Sequence, residues 1–344
     1  MTSRRFNLPN RLPARLPDAA SNMLDAALEM SVVGSFTRLG IATRRRLHHW
    51  TPIDSDLTGR VVLITGASSG LGRAAAQQLA QLGASLVLVG RDEQRLAAAA
   101  QACRAAGSPD VRTIRADLTL LAEAEGLVDQ VLADYERLDV LIHNAGALVH
   151  DYRRTEEGFE ETYAAQVLSQ HVLTTGLLPL LTATPGSRVI VVSSGGMYTE
   201  KLEADRVEFD EEHYDGVVAY ARAKRAQVTL NEVWAARSES ASPTSSPGAW
   251  PDFYAMHPGW ADTPGVAASL PRFRRVTGPL LRSPDEGADT IVWLAASDEA
   301  AGRSGLFWLD RAPRDTIKLP WTAADDGEAD RLWELVCEQT GHRP

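Results

Sequence analysis

Tyr220 and Lys224 stand four positions apart in the run YARAK, within a stretch that otherwise reads as plain helix. Helix geometry puts residues i and i+4 on one face, so a phenol and an ammonium can converge on one point. A free phenol loses its proton near pH 10, and a cation beside it favours the phenolate. The pair therefore has the makings of a general acid–base unit. A half-exposed tyrosine next to a solvated lysine is the plainer alternative, and a motif this loose does not exclude it. Upstream, the apolar run RVIVV ends in Ser193 and Ser194, either of which suits a hydrogen bond to a substrate oxygen that gains negative charge.

A second kind of chemistry is written in TGASSGLG, residues 65–72. This stretch follows the run VVLIT and opens a helical segment, the context a phosphate-binding turn requires. Gly66, Gly70 and Gly72 let the backbone turn tightly and approach a pyrophosphate, Ser68, Ser69 and Leu71 lie between them, and the helix start supplies amide donors. Arg91 follows the second apolar run, where a cofactor lacking a 2′-phosphate would meet an acid, so NADP(H) is expected over NAD(H). A solvated helix-start residue beside a capping Asp92 is its alternative. Asp117 suits acceptance from an adenine amino group or a cap on the next helix, and Asn144, Ala145 and Gly146 offer a small-residue wall.

These groups need a frame. VVLIT, SLVLVG, VRTIRAD, LDVLIHNAG, RVIVVSS, DFYAMHPG and GLFWLD are short apolar runs separated by longer helical stretches. Strand and helix in repeated alternation predict an α/β fold with a doubly wound parallel sheet, Rossmann-like and a single domain. The expected divisions are an N-terminal helical extension over residues 1–58, the nucleotide-binding domain over 59–310, and a C-terminal extension of that domain over 311–344. Prolines at 9, 13 and 17 mark an extended leader, and SESASPTSSPGAW, residues 238–250, reads as a surface loop.

The formal charge is −10, with +5 on residues 1–50 and −15 on the remainder, which argues against nucleic acid as a partner. Cys103 and Cys337 lie far apart without ligand spacing, so neither a disulfide framework nor a metal site is expected. No apolar run is long enough to span a bilayer, and a cytoplasmic setting is the expectation. Leu24, Leu28, Val32, Phe36 and Leu39 form a helical stripe followed by Arg44, Arg45 and Arg46. The stripe predicts a helix packed on the body or on a second subunit, or else one that touches anionic lipid through the three arginines. As an attachment, it is expected to be removable without loss of cofactor binding.

TGxxxGxG, NAG, paired serines, YxxxK and HPG occur in the order and at about the spacing of the short-chain dehydrogenase/reductase family, which the chain resembles over residues 59–310. The retinol dehydrogenase-like group tolerates the 26 positions between Ser194 and Tyr220. The resemblance implies oxidation of an alcohol or reduction of a carbonyl on a lipophilic small molecule. Tyr220 would be the acid, Lys224 its helper and a ligand of the nicotinamide ribose, and Ser194, in preference to Ser193, the substrate's hydrogen-bond donor. It places Pro258, Gly259 and Thr263 at the nicotinamide end and Trp260 facing the pocket, while Leu270, Phe273, Val276, Leu280 and Leu281, in the stretch that matches the variable substrate loop, suggest an apolar lid or else plain packing. The acidic EFDEEHYDG, residues 208–216, is expected to line the mouth, and His257 to be packed rather than basic. In one respect the pattern departs from the family. Gln166 stands where members carry an asparagine that holds a relay water, with Ser169 in place of a glycine. A cofactor-binding sensor or scaffold that has lost turnover is the competing reading.

Overall fold

The computed structural model describes residues 18–241 and 250–344. The expected leader as far as residue 17 and residues 242–249 of the expected surface loop 238–250 lie outside the described residues, and residues 238–241 of that loop instead end a helix. Three short helices come first, α1 (Asp18–Glu29), α2 (Val32–Phe36) and α3 (Arg38–Leu47). The alternation follows: β1 (Val61–Thr65), α4 (Gly70–Gln81), β2 (Ser85–Gly90), α5 (Glu93–Ala106), β3 (Val111–Arg115), α6 (Leu121–Asp134) and β4 (Val140–His143). Then α7 (Glu161–Tyr163) passes through a π-helical turn (Ala164–Leu168) into α8 (Ser169–Thr182), before β5 (Arg188–Val192), α9 (Gly216–Ala241) and β6 (Asp252–Met256). Short α10 (Pro264–Ser269) and α11 (Pro271–Thr277) precede α12 (Pro284–Ala296), β7 (Phe307–Leu309), β8 (Ala312–Arg314) and α13 (Glu328–Thr340).

The strands form one sheet in the order β3-β2-β1-β4-β5-β6-β7-β8, parallel as far as β7. Alternation along β1 sends Leu63 to one face and Val62 and Ile64 to the other. Residues of α6, α8, α9 and α13 cover the first face and residues of α4, α5 and α12 the second, as two-sided burial of Val/Ile/Leu-rich strands requires. The seven expected runs are β1 to β7. Unexpected is β8, antiparallel to β7, whose three residues carry Pro313 and so sit at an edge.

The expected N-terminal stripe is not one helix. Ser31 caps α2 by accepting from Gly34 N at 3.0 Å, and α2 crosses α3 so closely that a Cβ on Gly40 would lie 2.3 Å from Gly34 O. Phe36 is buried, whereas Leu24 and Leu39 are exposed. Nor is Arg44 available to lipid. Fully buried, it donates to Asp25 (2.6 Å), Glu29 (2.8 Å), Asp310 (2.8 Å) and Ser35 O (3.1 Å), while Arg45 and Arg46 remain exposed. Asp310 also receives both Nη atoms of Arg282, at 2.6 and 2.9 Å, so one carboxylate joins the N-terminal helices to the residues preceding α12. Burial works to raise the Asp25 carboxyl, but the hydrogen bond and charge of Arg44, with Arg314, hold it below its ordinary value.

Candidate active site

The strand order reverses between β1 and β4, and ligands of open α/β sheets bind where it does so. A cleft of about 840 Å³ opens there, at the C-terminal ends of the strands. Gly66, Ser68, Ser69, Gly70, Leu71, Arg91, Asp117, Asn144, Ala145, Gly146, Gln166, Ser194, Tyr220, Lys224, Pro258, Gly259 and Thr263 all line it; of the expected set only Gly72 does not.

The glycine turn shows why. Gly66 and Gly70 adopt φ of +67° and +54°, which L side chains rarely adopt, and Ser69 precedes the first residue of α4. Gly72 points away from the cleft, and a Cβ on it would lie 2.4 Å from Asn144 Nδ2. Its smallness therefore serves the packing of α4 on the end of β4. Asn144 in turn donates to Thr65 O (2.9 Å) and Gly66 O (3.2 Å), while Thr65 Oγ1 accepts from the amides of Asn144 and Ala145, each at 3.0 Å. Thr65, absent from the expected set, thus stitches the phosphate turn to the NAG wall. It is the first residue of the TGASSGLG stretch, and that motif was the signal that could have found it.

After β2, Asp92 caps α5 by accepting from Arg95 N at 3.0 Å, as the alternative reading of Arg91 supposed. Arg91 is 61% exposed, and its nearest carboxylates, Asp117 and Glu161, are each 3.9 Å away. Arg95, not anticipated, lines the same cleft. Asp117 accepts from Thr119 N and Oγ1 at 3.1 and 2.9 Å and does not cap α6, whose first amides bond to Glu157.

Ser193 and Ser194 separate clearly. Ser193 is buried and donates to Lys224 O at 3.1 Å; Ser194, half-buried, caps the short helical turn Gly195–Thr199 and adjoins Tyr220. Burial raises the Tyr220 phenol above its ordinary value, with the Ser194 hydroxyl opposing the rise. Lys224 Nζ lies 5.4 Å from the Tyr220 ring centroid, and burial pulls its ammonium down to about 7. Burial works on both groups toward their neutral forms. Gln166 sits in the π-helical turn, where Nε2 donates to Ala147 O at 3.0 Å and buried Oε1 has no partner among the described residues.

The loop after β6 closes the cleft. Thr263 Oγ1 caps α10, and its Cβ lies 3.4 Å from the Cβ position of Gly70, so this loop meets the phosphate turn. Gly259 (φ +73°) has Arg282 Cζ at 2.5 Å and Phe36 O at 2.6 Å from its Cβ position, and Phe36 O accepts from Trp260 N at 2.7 Å. The Phe36 ring also lies against Gly195, 2.8 Å from that glycine's Cβ position. An N-terminal residue therefore touches both the serine turn and the Pro258–Trp260 loop. No local pattern could reveal a contact across more than 150 positions.

Trp260, Leu270 and Phe273 face the cleft, and Trp260 packs edge-on to Phe273 at 5.0 Å. The expected lid otherwise divides: Val276 is 81% exposed, Leu281 is in the core, and Leu280 is half-buried away from the cleft. The acidic stretch 208–216 does not line the mouth. Asp215 caps α9, Glu208 accepts from Glu160 N, and Tyr214 OH donates to Val149 O at 3.0 Å. His257 is packed as expected, its Nδ1 accepting from Gly259 N at 3.1 Å and its titration driven well below the ordinary value by burial.

Comparison with known proteins extends these observations. The family model described as short chain dehydrogenase matches residues 60–203. Dehydrogenase/reductase SDR family member 12 of Bos taurus is 38% identical, over 83% of this chain and 88% of the relative. VSSGGM, MHPGWADTPGV, GADT and the C-terminal LDR…LP are the stretches whose resemblance points to that member. Retinol dehydrogenase 14 of Mus musculus is 33% identical over 80% and 84%. A crystal structure of an uncharacterised protein from Mycobacterium Paratuberculosis superposes with a TM-score of 0.67 at 27% identity, covering 86% of this chain and 98% of its own. From its motifs, its fold and these relatives, the chain belongs to the short-chain dehydrogenase/reductase family of oxidoreductases.

Proposed function

We propose that the protein interconverts a carbonyl and an alcohol on a lipophilic small molecule with NADP(H), and that Tyr220, Ser194 and Lys224 carry the proton chemistry. One observation bears most of the weight. Ser194, Tyr220 and Lys224 line one cleft together with the glycine turn and Arg91 and with the apolar Leu148, Val149, Trp260, Leu270 and Phe273. The residues fit a dinucleotide: two glycines hold a left-handed turn at a helix start, and a Cβ on Gly146 would come within 3.1 Å of Lys224 Nζ. Ser68, Ser69 and Leu71 would meet the phosphates, Arg91 and Arg95 the 2′-phosphate, and Pro258, Gly259 and Thr263 the nicotinamide end.

NADPH supplies the hydride when bound. The rest falls to the chain. Ser194 donates a hydrogen bond to the carbonyl oxygen, and Tyr220, which burial keeps protonated, gives its proton to that oxygen as charge builds on it. Lys224 presents an N–H to the ribose side. The apolar lining of the cleft selects a lipophilic substrate, in keeping with the name of the relative retinol dehydrogenase 14.

Turnover of NADPH with aldehydes, ketones, retinoids and steroids tests this reading. With an accepted carbonyl, Tyr220→Phe keeps the ring and removes the acid, so turnover falls by roughly 10²- to 10⁴-fold while NADPH affinity changes little. A fully active Tyr220→Phe enzyme refutes the mechanism. No turnover by wild type across the panel favours the sensor reading.

A further inference from the structure

Gln227 lies on α9, one turn beyond Lys224, and is 1% exposed. Its Oε1 accepts from Lys224 Nζ at 2.9 Å, and its Nε2 donates to the main-chain oxygen of Gln166, in the π-helical turn, at 2.7 Å. An ammonium can only donate and a carbonyl can only accept, so the two partners fix the orientation of the carboxamide. Lys224 Nζ makes a second bond, to Val192 O at 3.0 Å. Two of its three N–H groups are thereby committed. One remains, and it faces the cleft floor, where the Cβ position of Gly146 is 3.1 Å from Nζ and 2.8 Å from the unpartnered Gln166 Oε1.

We propose that Gln227 is a positioning residue for Lys224. Its carboxamide clamps the ammonium between β5 and the π-helical turn and aims the one free N–H at the cleft. The proposal rests on the Tyr220–Lys224 reading above, but the clamp is a separate claim. Its chemistry is that of a buried cation. Burial alone drives Lys224 toward its neutral form, and Gln227 Oε1 and Val192 O are the acceptors that resist it. The facing groups on the packed elements are Gly146, the Gln166 amide, Val192 and, from α9 itself, Tyr220. Among them Tyr220 alone titrates, and no charged side chain contributes.

The chain has three lysines, Lys201, Lys224 and Lys318, so protein labelled with 13C at lysine Cε gives three signals, and loss of one in Lys224→Met assigns it. In Gln227→Met the Lys224 titration midpoint falls by about one to two pH units, the value of one hydrogen bond to a charged group. In Gln227→Glu, nearly isosteric and with the acceptor retained, it rises. With an accepted carbonyl, Gln227→Met lowers kcat about tenfold at little change in KM, and its pH profile moves the same way as the signal. An unchanged midpoint in both variants overturns the clamp, even where Tyr220→Phe is inactive and the reaction stands. A fully active Tyr220→Phe overturns the reaction, while the lysine signal still judges the clamp.

Discussion

Arg91 stands at the cleft rim with two carboxylates 3.9 Å from its guanidinium, a distance that leaves it loosely paired. An anion arriving between Arg91 and Arg95 meets cations whose present partners give little in return. A charge-assisted contact there is worth about 1.5 to 3 kcal/mol, and exposure places it at the lower end. Arg91→Ala is therefore expected to weaken NADPH by roughly tenfold and to leave NADH nearly unchanged, as intrinsic fluorescence titration of both cofactors would register; equal losses would sink the 2′-phosphate assignment. Most residues that meet in this cleft were legible because they end a strand or open a helix, which motif spacing counts, whereas Tyr220 and Lys224 lie within α9 and were legible from their i, i+4 spacing. Gln227 was legible in principle, since i+3 from Lys224 shares its helix face, but a glutamine at that spacing is common surface decoration. Its partner oxygen belongs to another helix, which spacing along α9 does not reveal.

At the scale of elements, α1 to α3 pack against two turns that line the site. Phe36 O holds the Trp260 amide, its ring meets Gly195, and Arg282 donates to Ser35 O, Pro258 O and Asp310. Arg44 is the sharpest probe, because Asp25, Glu29 and Asp310 converge on it out of water. Removing one partner of a buried ion pair costs about 3 to 5 kcal/mol, since charges are left uncompensated. Arg44→Met should lower stability in urea by that amount, whereas Arg45→Met, on the exposed face, should cost less than about 0.5 kcal/mol. Equal effects would show that the network carries no weight. Sequence reading found the helical stripe and left open whether it packs on the body or meets lipid through all three arginines. What separates them is a carboxylate more than 260 positions downstream.

For the molecule as a whole, seven strands and the helices between them followed from alternating apolar runs, because a two-sided parallel sheet leaves little freedom in where β-branched residues go. β8 escaped notice because three residues with a proline carry no periodicity. Yet the connection into it has an outsized effect. Asp310 and Arg311, both at positive φ (54° and 56°), make the two-residue reversal between β7 and β8, a conformation usually given to Asn-Gly. Hairpin tips are where chains ordinarily drift, gain residues and accept tags. Here the tip carries the carboxylate shared by Arg44 and Arg282, so its length is as constrained as that of a core element. One glycine inserted between Asp310 and Arg311 should cost folding stability, read as a fall in Tm, and should raise KM for the carbonyl by loosening the Trp260 loop; the same insertion between Gly302 and Arg303, in an exposed turn, should be tolerated. Homologous chains that keep this N-terminal segment should therefore show no gain or loss of residues at the reversal, and chains that lack the segment should be free to vary there.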